Sequence, residues 1–174
     1  MHQRIPTITT ERLLLREIED SDLENIFKGL SNPRVFEHYG VQFHSLEATK
    51  EQMAWYADPK QHWWAICGHQ DGEFYGAGGL NDIDLNEGKA EIGLWLLPDH
   101  WGKGIMTEVL PLIADHGLNF LNLKRIEGFV ETDNLNCKRA MSKLDFQHER
   151  TITDFEVKNG KNIHVDVYAK TTNE

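Results

Sequence analysis

Ala90-Glu91-Ile92-Gly93-Leu94-Trp95-Leu96-Leu97-Pro98-Asp99-His100-Trp101-Gly102-Lys103-Gly104-Ile105-Met106-Thr107 is the stretch on which the fold turns. Residues 90–97 form a nearly continuous apolar run, which predicts a strand whose far end is buried on both faces. Pro98-Asp99 closes that strand. From Gly104 to about Phe120, Ile105, Val109, Leu112, Ile113 and Leu118 recur at helical spacing, so a long helix follows, with Pro111 as an expected kink. A glycine-bearing loop therefore joins a central strand to a helix. At such a junction successive backbone amides point outward, the helix dipole favours an anion, and missing side chains let a pyrophosphate approach. Lys103 adds a positive charge there, or simply faces solvent. The loop lacks the spacing of a Walker motif, and Thr107 stands where a dinucleotide fingerprint needs its third glycine. Gly-x-Gly by itself is more often a plain turn; its place after the strand is what gives it weight.

Working outward, Arg12 to Ile18 reads as a strand, and Ser21 with Glu24 has capping-box spacing for a helix ending near Leu30. Asn32-Pro33 stops that helix and leads into a short turn through Val35, Phe36 and Tyr39. Ser45 is expected to cap a helix through Glu51, Met53 and Trp55 that ends at Asp58-Pro59. His62 to Cys67, Phe74 to Ile83 and Ala90 to Leu97 are three strands joined by turns at Asp71-Gly72 and Asn86-Glu87-Gly88. Arg125 to Val130 is a strand, Asn134 to Leu144 a helix with Asp145 in a left-handed cap, and Phe146–Val157 with Ile163–Ala169 a hairpin across Asn159-Gly160. Trp63 and Trp64 alternate, so one should face the core and the other a cleft, although core packing is the better expectation for both. This order predicts a single α/β (α+β) domain over 1–174, with a sheet of mixed direction and helices on both faces.

Composition narrows the function. With 174 residues the chain can bury a core without disulfides, and 40% apolar with 26% charged residues is ordinary for a globular protein. A net charge of −10 argues against a nucleic-acid partner and is compatible with a cationic one. No apolar run is long enough for a membrane helix, and residues 1–10 lack a secretory pattern, so the expected location is the cytoplasm. Cys67 and Cys137 read as free thiols. The nine histidines show no ligand spacing, so no metal site is expected.

Three motifs in order carry a resemblance. Trp101 to Met106 resembles the coenzyme-A loop of the GNAT N-acetyltransferase superfamily, Gln/Arg-x-x-Gly-x-Gly/Ala. Thr10-Glu11-Arg12-Leu13-Leu14-Leu15-Arg16 and Ala90 to Leu96 are similar to the opening and central strands of its RimJ/RimL-like branch, which acetylates ribosomal-protein N-termini. Asn134 to Phe146 is similar to that branch's Asn-x-x-Ser…Lys-Leu-Gly-Phe helix. Trp101, Met106, Cys137 and Asp145 depart from the pattern, standing for Gln/Arg, a small residue, Ser and Gly. The resemblance implies a GNAT-type, mostly antiparallel sheet of about seven strands. It implies acetyl-CoA as co-substrate and an amine acceptor, either a protein N-terminus or a small molecule. A spermidine-type polyamine acetyltransferase and a non-catalytic coenzyme-binding module are the rival readings, and a homodimer is one assembly the resemblance admits.

Carried over by residue, the resemblance gives Trp101, Gly102, Lys103, Gly104, Ile105, Met106 and Thr107 to the pyrophosphate. It gives the backbone of Leu94, Trp95 and Leu96 to the pantetheine arm, and Asn134 to the thiol end. An amide on that strand would polarise the thioester carbonyl. Attack needs a neutral amine, so some group must take a proton. Glu91 is the first candidate; the alternative is an outward-facing strand residue in a surface ion pair. Many relatives protonate the departing thiolate with a tyrosine at the place held here by Met141, which cannot donate. Cys137, Ser142 or solvent remain for that task.

Overall fold

The computed structural model describes residues 5–37 and 42–172. In chain order the elements are β1 (Ile8–Thr9), β2 (Leu13–Glu17), α1 (Leu23–Leu30), α2 (Pro33–Phe36), α3 (Leu46–Ala57), β3 (His62–Gly68), β4 (Phe74–Asp84), β5 (Lys89–Leu96), α4 (Ile105–Asp115), β6 (Arg125–Glu131), α5 (Leu135–Lys143), β7 (Gln147–Lys158) and β8 (Lys161–Thr171). The strands form one eight-stranded sheet in the order β1-β2-β3-β4-β5-β6-β8-β7. The strand beyond the expected seven is β1, a two-residue piece paired antiparallel with β2 through Ile8 opposite Leu15. Contacts divide the chain into two compact units, 1–82 with 93–105 and 83–92 with 106–174. The division falls inside β5, after Ile92.

In the first unit β2 lies antiparallel to β3, and β3 antiparallel to β4. Ile26, Leu30, Tyr56, Trp63, Ala65, Phe74, Ala77 and Trp95 form one buried cluster. Close approach depends on Gly29 of α1, where a Cβ would collide with the Trp95 ring. Neither Trp63 nor Trp64 opens onto a cleft. Both are buried, because Trp63 is roofed by Trp55 and Tyr56 while Trp64 donates through Nε1 to the Pro6 carbonyl at 2.7 Å.

Helix starts were anticipated unevenly. Ser45 caps α3 as expected, its Oγ accepting from Ala48 N at 3.0 Å. The expected Ser21–Glu24 box is instead formed two residues earlier, by Glu19 and Asp22. Asp22 is buried and chelated by the Arg16 guanidinium at 2.9 and 2.8 Å, which orients its carboxylate to accept from Glu19 N. The turn through Val35 and Phe36 is α2, capped by Asn32; Tyr39 lies outside the described residues.

In the second unit the start of β5 runs parallel to β6, from Lys89 opposite Arg125 to Ile92 opposite Gly128, and β8 lies antiparallel to both β6 and β7. Parallel and antiparallel pairs thus occur in one sheet, as the element order required. α4 passes through Pro111 and changes to π spacing only at His116–Phe120. Asp145 takes the left-handed conformation expected of it, with φ 65°, and Asn159-Gly160 make the β7–β8 turn at φ 50° and 79°. Buried Asp166 gathers Thr151 Oγ1 (2.6 Å), His148 Nε2 (2.9 Å) and Lys138 Nζ (2.9 Å). Burial alone would raise its pKa, but these partners outweigh it and hold the carboxyl down to about 2.

Candidate active site

The loop after β5 is built from backbone conformations that glycine alone adopts without strain. Gly102 and Gly104 have φ of 75° and 74°, on either side of Lys103. Nothing lies within 4 Å of the Cβ position at Gly102. Gly102, Lys103 and Gly104 are exposed, whereas Ile105 is buried and anchors the first turn of α4. This gives an open, kinked backbone at the start of an 11-residue helix, the geometry in which amides and dipole together favour an anion.

Four side chains pack in or against the loop. Pro98–His100 form a single 3-10 turn, and His100 is buried with its ring 4.2 Å from that of Tyr75. The Trp101 indole Nε1 donates to the Leu96 carbonyl at 2.9 Å, folding the loop back on the end of β5. The outer face of that indole is covered by the Arg34 guanidinium at 4.9 Å. From 91 positions away in sequence, Arg12 Nη1 donates to the Lys103 carbonyl at 2.8 Å. Arg12 and Arg34 were not site candidates in the sequence, and no local pattern marks them, because each reaches the loop only through tertiary packing.

On β5, Trp95 and Leu96 are buried and Leu94 is half-buried. The Trp95 indole points into the first unit's core, where Nε1 donates to Tyr56 Oη at 3.3 Å, and burial raises the Tyr56 phenol to about 12. The Leu97 amide is already used, donating to the Tyr75 carbonyl at 2.8 Å. One lone pair of the Leu96 carbonyl is taken by Trp101. Of the backbone expected to face pantetheine, the Leu96 carbonyl thus already has one partner.

Glu91 is half-buried and sits opposite Glu127 in the parallel register. Ile92 and Gly128 present the other face, which receives Met141; strand alternation turns Glu91 and Glu127 away from it. Glu127 accepts from Arg125 Nη2 at 3.1 Å, and Arg125 also binds Glu149.

Asn134 caps α5, its Oδ1 accepting from Cys137 N at 3.2 Å. The side-chain oxygen thus serves the helix. Burial pushes the Cys137 thiol up to about 11, so it holds its proton more tightly than the coenzyme thiol, with a pKa of roughly 8.5. That ordering opposes Cys137 as the acid. Ser142 is exposed on the helix surface, and Met141 is a buried apolar residue. Among the described residues no group of three metal-ligating side chains could hold an ion, and no helix is long and apolar enough to cross a membrane.

Residues 12–147 match the family described as "Acetyltransferase (GNAT) domain". The "Uncharacterized N-acetyltransferase YoaA" of Bacillus subtilis (strain 168) is 32% identical over 169 residues, covering 94% of this chain and 96% of the relative. "Uncharacterized N-acetyltransferase p20" of Bacillus licheniformis is 32% identical over 168 residues, 94% of each chain. The crystal structure of spermidine N-acetyltransferase from Vibrio cholerae in complex with CoA and spermine has the same fold, with a TM-score of 0.86 and 20% identity over 93% of this chain and 96% of that one. Sequence match, fold and glycine loop agree: the chain belongs to the GNAT family of N-acetyltransferases, enzymes whose co-substrate is acetyl-CoA.

Proposed function

We propose that the chain moves the acetyl group of acetyl-CoA directly onto a primary amine, with the coenzyme pyrophosphate seated on Trp101–Thr107. The carrying observation is the left-handed pair Gly102 and Gly104 on the exposed loop that opens α4. In this reading the pantetheine arm follows Leu94–Leu96, and an amide there stabilises the oxyanion that forms as the amine attacks. Asn134 contributes its amide nitrogen near the thiol. Glu91 takes a proton from the ammonium, directly or through water, to free the lone pair. The tetrahedral intermediate then collapses and expels the thiolate. With Met141 unable to donate and the Cys137 thiol a weaker acid than the product thiol, solvent is the favoured source of its proton.

The acceptor in this reading is a protein N-terminus, as in the RimJ/RimL-like branch, or a small-molecule amine. A polyamine is the second reading. It is favoured by the spermidine N(1)-acetyltransferase of Escherichia coli (strain K12), 32% identical over 79 residues or 45% of this chain, and opposed by Met141. A thiol-release assay with acetyl-CoA against N-terminal peptides, spermidine and amino-sugar antibiotics separates these. Turnover with at least one amine is expected. No thermal shift with coenzyme A would overturn the assignment of the loop, and binding without turnover on any amine would overturn the transferase reading.

A further inference from the structure

We infer that Arg12 is a positioning residue for the coenzyme diphosphate: its guanidinium clamps the Lys103 carbonyl and sets a fixed positive charge beside the Gly102–Gly104 loop. The inference deepens the proposed coenzyme site and rests on it. Lys103 is the one residue of the loop flanked on both sides by left-handed glycines, so its peptide is the most free to rotate. A rotated Lys103 peptide would aim a carbonyl, rather than an amide, toward an incoming anion. Arg12 Nη1 holds that carbonyl at 2.8 Å, which keeps the peptide in one orientation. The same guanidinium flanks the next residue, with Nη2 3.5 Å from the position a Cβ on Gly104 would occupy. Its charge therefore sits against the loop itself.

The base of Arg12 is rigid enough for this work. It lies in the tight turn between β1 and β2, closed by Thr10 N to Leu13 O at 2.9 Å and Leu13 N to Thr10 Oγ1 at 3.0 Å. Its own carbonyl accepts from His69 N at 2.9 Å, tying the turn to the segment after β3. Lys103 does not duplicate this function: its side chain is exposed, and its carbonyl is held by Arg12. The consequence is a division of labour, with exposed Lys103 adding charge and Arg12 fixing the direction of the amides.

The test compares full-length wild type, Arg12→Ala, Arg12→Lys and Arg12→Gln with three donors. Acetyl-CoA carries the diphosphate and the 3′-phosphate, acetyl-dephospho-CoA keeps only the diphosphate, and S-acetylpantetheine has neither. Arg12→Ala should raise KM for the first two by roughly tenfold and leave KM for S-acetylpantetheine within about twofold, with kcat little changed. Arg12→Lys, which keeps the charge, and Arg12→Gln, which keeps a donor, should each recover part of the loss. Melting temperature by circular dichroism identifies any variant that does not fold, and the Lys and Gln variants then carry the comparison. Equal loss on all three donors, or no loss on any, overturns the inference. So does a loss confined to acetyl-CoA, which would give Arg12 to the 3′-phosphate. Failure of wild type itself to bind coenzyme A removes the underlying site and the inference with it, and that outcome is distinguishable because it involves no variant.

Discussion

Replacing Gly104 by valine tests whether the left-handed loop is the seat of the coenzyme. At φ 74° an L-residue costs roughly 1–2 kcal/mol more than glycine, and β-branching adds to that. The first carbon fits, since its nearest neighbour is Arg12 Nη2 at 3.5 Å; the γ-methyls then crowd the guanidinium and the anion's approach. The variant can relieve this strain only by turning residue 104 toward negative φ, which redirects the amides of the loop. Restoring the binding geometry would then cost coenzyme affinity that same 1–2 kcal/mol, or about 5- to 30-fold in Kd, before any crowding of the phosphate. Isothermal titration with coenzyme A measures it. Gly160→Val is the control: its φ is 79°, nothing lies within 4 Å of its Cβ position, and it occupies the β7–β8 turn. It should lower stability by a similar roughly 1–2 kcal/mol without altering Kd. A folded Gly104→Val protein that binds coenzyme A within twofold of wild type would refute the reasoning.

Three further outcomes are expected. Glu91→Gln should lower kcat by about 10²–10⁴ and erase the acidic limb of its pH profile, as for any lost general base, whereas an unchanged limb would remove Glu91 from the mechanism. Because the folded Asp166 carboxyl lies at about 2, below its ordinary value, its stabilisation is present above pH 4 and lost as pH falls toward 2. Urea unfolding of wild type should therefore lose about 2 kcal/mol across that window that Asp166→Asn does not lose; parallel curves would contradict the network. Burial raises both thiols, so Cys67 and Cys137 should react with iodoacetamide at pH 8 far more slowly than a free cysteine, and rapid labelling of either would show that its burial is misjudged.

How much could be read from residues alone depended on whether the deciding interaction was local. Strand edges, the Ser45 cap, the left-handed Asp145 and the Asn159-Gly160 turn are set by a few neighbouring residues, and all were legible. The first cap was misplaced because its owner, Asp22, is chosen by a salt bridge to Arg16 rather than by the spacing of Ser21 and Glu24. Pro111 was expected to disturb α4, yet the irregularity comes later, at His116. The two tryptophans followed the better expectation, core packing, since both are buried. At the site, Gly102 and Gly104 announced themselves, since few other residues accept their φ. Arg12 and Arg34 did not, because a long side chain arriving from a distant turn leaves no spacing to read.

The interleaving of the two compact units has a consequence for inheritance and for engineering. The first unit takes 1–82 and 93–105 and the second 83–92 and 106–174, so the Asp84–Gly88 turn lies inside the second unit and β5 is divided between them after Ile92. No single cut gives each unit a fragment of its own. A gene broken at Asn86-Glu87 would encode two halves that each lack a part, so acetyl transfer would return only when the halves meet. That makes this turn a natural place to split the protein into a reporter of association. Exchanging one unit between genes would likewise take three junctions rather than one.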